Sequence, residues 1–208
     1  MNDLSNMRKQ PEFSDWYNEF IKQTADIILI AEQIDILKQQ VKNAGSFVCC
    51  ADIIYQNIQN LLLKWVGSTY IGFKKPVKFK NAFQQFFISL YDLLIVMKNS
   101  DNKNLNNFAN RALYQGTVYR YIGYTRHTKI NKGIVPEYND IYVSWSKNSK
   151  NSYIESKLNG TITHMTCNIF GDVYGIDLSA FGVRLNDESE VVFPTVERYI
   201  INIDYIKK

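Results

Sequence analysis

Three short segments hold the residues best suited to chemistry. Arg120 stands within Thr117-Val-Tyr-Arg-Tyr121, Ser144 and Ser146 flank Trp145, and Glu188 and Glu190 flank Ser189 just ahead of Val191-Val-Phe-Pro194. A guanidinium set among β-type residues needs an anionic partner if it is buried. On a strand the side chains repeat every two residues, so Glu188 and Glu190 point to one face. Two carboxylates beside a basic group suit acid/base work or the stabilisation of a developing cation. The plainer alternative is a solvated strand start on the turn Asn186-Asp187-Glu188.

Composition narrows the other options. The 208 residues include 2 His and 3 Cys, so a zinc enzyme or a His-relay hydrolase would have to be built from almost nothing, and no metal is expected. Cys49, Cys50 and Cys167 are odd in number and two are adjacent, which is no disulfide framework and points to a reducing compartment. The sequence contains neither Gly-x-Gly-x-x-Gly nor a Walker-type Gly-Lys-Ser/Thr, so a nucleotide would be held some other way. The stretch Met1 to Trp16 lacks the basic start and apolar run of a secretory signal, and a cytoplasmic protein is expected. Ile27 to Leu37 and Phe86 to Met97 are broken by polar residues and fall short of the roughly 20 apolar residues of a membrane span. A net charge of +4 permits an anionic partner without demanding one.

These residues need elements to position them. Apolar residues recur at helical spacing in Ile27, Ile30, Ile34, Leu37 and Val41, and again in Phe47, Cys50, Ile54, Ile58, Leu61 and Trp65. Gly45 and Gly67 sit where C-caps belong. A third helix is expected from about Asn81 to Met97. Before it, Phe73 to Lys80 interleaves Lys74, Lys75, Lys78 and Lys80 with aromatic residues, which suits either nucleic-acid binding or a solvated connector. After a polar patch at Asn99 to Asn107 the texture becomes strand-like, at Thr117 to Ile122, Ile141 to Ser146, Thr161 to Ile169, Glu190 to Phe193 and Arg198 to Ile203. Helices followed by strands, without β-α-β alternation, predict an α+β fold.

The order Arg, Ser-x-Ser, Glu-x-Glu with a Val-Val-Phe-Pro strand resembles the R-S-E class of mono-ADP-ribosyltransferases, the clade of cholera-like toxins and vertebrate arginine-specific ecto-enzymes. Gly175 to Pro194, with Glu197 and the strand after it, is similar to that family's segment of short helix, Glu-x-Glu turn and strand. The resemblance covers the strand half closely and the helical half in architecture. Two departures stand out: Tyr121 follows Arg120 where the family usually has glycine, leaving Arg126 as a rival for the arginine role, and bulky Trp145 separates the serines, which suits the motif if its ring points to the opposite face.

The resemblance implies a helical lobe at residues 1–108 packed on a two-sheet NAD-binding core at 109–208, together one catalytic unit. It also implies roles. Arg120 would pair with the NAD diphosphate, with Tyr121 beside it, Ser144 would hold Glu190 or the nicotinamide ribose, and Ser146 would support it. Glu190 would stabilise the oxocarbenium-like state, and Tyr153 would wall the nicotinamide. Glu188 would orient and deprotonate the acceptor, which favours protein arginine. An intracellular toxin modifying RNA or DNA is the alternative, with an antitoxin as its partner, whereas a secretion chaperone would go with an exported effector. A third is a protein that binds or hydrolyses NAD without transfer.

Overall fold

The computed structural model describes residues 11–47, 51–67, 77–123, 142–149, 161–183, 189–194 and 196–207. Contacts divide the chain into two units, Met1–Asn102 and Lys103–Lys208. The first is helical and the second is built on a sheet. The chain is thus mixed helix and strand, as the α+β expectation requires.

The helical unit holds α1 (Pro11–Ala44), α2 (Ala51–Gly67) and α3 (Val77–Lys98). The stripe Ile27, Ala31, Ile34, Leu37 and Val41 of α1 is buried, as are Ile54, Ile58, Leu61 and Leu62 of α2. Gly45 stops α1 in the left-handed region at φ 65°, its N–H donating to the Val41 carbonyl at 2.9 Å. One face of α3 carries Phe79, Phe83, Phe86, Phe87, Leu90, Leu94 and Met97 into the core. Trp65 meets both Phe83 and Phe87 at 4.9 Å between ring centres.

A small polar network fixes α1 against α3. Lys38 pairs with Asp35 at 2.8 Å and with Asp92 at 3.2 Å, and the buried Ser89 hydroxyl donates to Asp35 at 3.2 Å. The hydrogen bond to Asp35 leads in raising the Lys38 pKa above its ordinary value. One expectation is corrected here. Val77–Lys80 is the first turn of α3, not the end of a connector, because Phe79 extends the buried stripe by one turn and is itself buried. Phe73 to Pro76, with Lys74 and Lys75, lies outside the described residues, as does the side chain of Lys78; Lys80 is exposed on α3.

The sheet unit begins with α4 (Lys103–Ala112), followed by β1 (Leu113–Tyr114), β2 (Gly116–Gly123), β3 (Tyr142–Ser146), β4 (Thr161–Ile169), β5 (Gly175–Asp177), β6 (Glu190–Pro194) and β7 (Ile200–Lys207). Short 3-10 turns, η1 (Leu178–Phe181) and η2 (Glu197–Tyr199), precede β6 and β7. Among the described residues all the pairings are antiparallel, in one seven-stranded sheet of order β1-β5-β6-β3-β2-β4-β7. The helix α4 lies partly in the patch that sequence reads as merely polar. It buries Ala109 and Ala112 and sets Phe108 edge-on to Phe181 of η1 at 5.3 Å.

The apolar face of the sheet is its core. Val118, Val143, Trp145, Met165, Cys167, Val191 and Phe193 cluster there, and the Trp145 ring donates from Nε1 to the Phe193 carbonyl at 3.1 Å. Gly175 opens β5 because a Cβ there would collide with Val191 and reach within 3.1 Å of Ile169. Among the described residues, no helix is long and apolar enough to cross a membrane.

Burial pushes the Cys167 thiol up to about 12, against 9.0 ordinarily. With Cys49 and Cys50 replaced by Ser, the folded chain should take up no thiol reagent at pH 8 and one equivalent in denaturant; labelling of the folded form would contradict this burial. The folded state holds the proton more tightly, so this group's contribution to stability is full below pH 9.0 and falls as pH rises from there toward 12.

Candidate functional site

Sheet order assembles what sequence separates. Arg120 and Ser144 lie 24 residues apart and Ser144 and Glu190 lie 46 apart, yet their strands β2, β3 and β6 are consecutive neighbours. Within β3, Val143 and Trp145 face the apolar core while Ser144 and Ser146 alternate to the other face. The ring of Trp145 therefore does not crowd the serines.

Register sets the next contacts. Glu190 stands directly opposite Ser146 across the β3–β6 pair, and Ser144 is its diagonal neighbour on the same face. The Ser144 hydroxyl donates to Oε1 of Glu190. Glu190 is only 8% exposed, and a carboxylate so far from water requires such donors. Ser146 is equally buried, and its Oγ accepts from the Asn148 N–H at 3.0 Å, closing the turn after β3.

Arg120 arrives from a different side. It pairs across β4 with the core residue Met165, so its side chain leaves β2 on the apolar face. From there it reaches the seam between β2 and β3, where NH1 donates to the Ser144 carbonyl at 2.6 Å. The result is a continuous chain: guanidinium to Ser144 backbone, Ser144 hydroxyl to Glu190.

The serine face continues across β2 and β4 as an aromatic surface. Tyr119 lies opposite Ser146, and Tyr121 lies opposite His164. The His164 ring stacks on Tyr121 at 4.5 Å and on Tyr119 at 5.8 Å. The Tyr121 hydroxyl donates to the Ser149 carbonyl at 2.5 Å, and His164 Nδ1 is 3.9 Å from Asp204 of β7. On the apolar side, Lys147 pairs with buried Asp177, which also accepts from the Ser179 N–H at 3.0 Å and hydroxyl at 2.7 Å. Burial leads in raising the Tyr114 hydroxyl above its ordinary value, with the charge of Asp177 adding to it.

The structure thus joins Arg120, Ser144 and Glu190 and sets Ser146 and Tyr121 on the same face as the carboxylate. Glu188, Tyr153 and Arg126 lie outside the described residues. Lys80 belongs to the helical unit. Sequence reasoning missed Tyr119, His164, Lys147 and Asp177. A signal existed for Tyr119 in its two-residue spacing from Tyr121, but the pairing that brings His164 alongside is a matter of register.

Comparison with protein-family models, with curated proteins and with solved structures gives no match.

Removing the Ser144 hydroxyl takes a donor from a buried carboxylate, so Ser144→Ala should lower stability in urea unfolding by about 1–3 kcal/mol. Ser146→Ala should cost less, roughly 0.5–1.5 kcal/mol, since its observed hydroxyl bond closes a turn. Equal losses would mean that the link from Ser144 to Glu190 carries no special weight.

Proposed function

We propose that this chain is a mono-ADP-ribosyltransferase that uses NAD as its substrate and transfers ADP-ribose to a macromolecular acceptor, protein arginine in first place. The supporting observation is the bonded chain from Arg120 through Ser144 to Glu190 on three adjacent strands. It links one member of each segment whose order resembles the R-S-E class. In this proposal the seven-stranded sheet corresponds to a two-sheet core, with the arginine at the β2–β3 seam.

The residues present suit such a substrate. Breaking the bond from ribose C1′ to the nicotinamide nitrogen sends its electron pair out with nicotinamide and leaves positive charge on the ribose. A buried, pre-oriented carboxylate stabilises that charge as it develops, at no reorganisation cost. Ser144 keeps Glu190 in one orientation, and the tyrosine and histidine surface beside it offers flat faces to the rings of NAD. Arg120 leaves β2 on the face opposite Glu190 and gives one nitrogen to the Ser144 carbonyl, so its role in this scheme is to hold the backbone of the serine that holds Glu190. The acceptor nitrogen then forms the new bond to C1′ and loses a proton, which Glu188 takes in this scheme. The protein would work in a reducing cytoplasm, its own or that of a target cell.

Purified protein given labelled NAD in a cell lysate should mark protein, with label that resists RNase and is removed by an arginine-specific ADP-ribosylhydrolase. Label lost on RNase or DNase treatment would move the acceptor to nucleic acid, and absence of any labelled product would reject transfer. Glu188→Gln should abolish transfer and leave NAD hydrolysis in place; equal loss of both would contradict the split between the two glutamates.

A further inference from the structure

We infer that the ion pair of Lys147 with Asp177 positions the adjoining ends of β3 and β6 on which Ser146 and Glu190 stand; this rests on the transferase proposal. Four elements meet at Lys147. Its N–H donates to the Ser189 carbonyl at 3.0 Å, the bond that extends the β3–β6 pairing one residue past Glu190. Its ammonium pairs with Asp177 at the end of β5 and lies 4.9 Å from the centre of the Tyr114 ring of β1. The Tyr114 hydroxyl in turn donates to the Thr117 carbonyl at the start of β2 at 3.1 Å.

Asp177 is the fixed end of this arrangement. It is 6% exposed, and its other oxygen accepts both the N–H and the hydroxyl of Ser179, so its carboxylate is locked to η1. Lys147 is on the opposite face from Glu190 and touches neither that carboxylate nor Ser144 in the observed contacts. Its effect passes through the backbone: it holds the residue next to Ser146 and, through Ser189, the residue next to Glu190. The pair keeps two neighbouring strands in register where the site needs them. Lys147 is thus a positioning residue and not a catalytic one.

The test compares Lys147→Met, Lys147→Arg, Asp177→Asn and the double variant Lys147→Met/Asp177→Asn, with Glu190→Ala alongside, by nicotinamide release from NAD well below each thermal midpoint. Lys147→Met should lower kcat by roughly 10- to 100-fold, the scale of a misplaced group, with KM for NAD within about twofold. Lys147→Arg should restore most of kcat. Asp177→Asn keeps an oxygen for Ser179 and should reproduce the kcat loss, and the double variant should be no worse than the worse single one. A folded Lys147→Met with wild-type kcat, or losses that multiply in the double variant, would overturn the inference; if Lys147→Met does not fold, Asp177→Asn decides. Loss of activity in Glu190→Ala with full activity in the Lys147 and Asp177 variants removes the positioning role alone. Retained activity in Glu190→Ala removes the transferase proposal itself.

Discussion

A carboxylate on an almost fully buried strand position is the constraint on which the sheet unit turns. Glu190 is worth burying only if donors are already in place around it. Ser144 supplies one, and Arg120 bonds the backbone of the same serine from the other face. The β3–β6 pairing must then hold its register, since a slip of β6 by one residue would send Glu190 into the apolar core and Val191 and Phe193 out of it. The Trp145 ring, pinned in the core by its bond to the Phe193 carbonyl, opposes that slip.

The two faces of the sheet divide the labour. One is sealed by Val118, Trp145, Met165, Cys167, Val191 and Phe193 and keeps the strands rigid. The other carries the serines, Glu190 and the stack of Tyr119, Tyr121 and His164, all half-buried or buried. Rigid strands that place polar groups on a partly shielded face are what preorganised electrostatic stabilisation requires. Lys147 and Asp177 belong to the first face and act on the second through the backbone of β3 and β6.

Much of this was legible in the residues because it depends on local period. The helical stripes of α1, α2 and α3 and the strands β2, β3, β4 and β6 follow from spacing, as does the alternation that separates Trp145 from its flanking serines. What spacing cannot supply is partnership. Nothing local in Asn99 to Asn107 marks α4, whose few apolar residues matter only because Phe181 waits for Phe108. The two short strands β1 and β5 exist through their partners, β1 on β5 and β5 on β6, with too few residues to show a pattern alone. Likewise His164, one of the 2 histidines of the sequence, gains a setting only once β4 pairs with β2. Helix α3 starts one turn before the position that spacing predicts, because Lys78 and Lys80 flank the buried Phe79 and mask its place in the stripe.

The central claim is that Glu190, held by Ser144, stabilises positive charge on a ribose as nicotinamide departs. The most direct measurement is nicotinamide release from NAD by purified protein, wild type against Glu190→Ala, with an arginine-rich acceptor and cellular RNA supplied in parallel. The account predicts release by the wild type and a rate lower by on the order of 10² to 10³ in the variant, the scale of one lost transition-state contact. No release by folded wild-type protein with either acceptor, or equal rates for the two proteins, would contradict it.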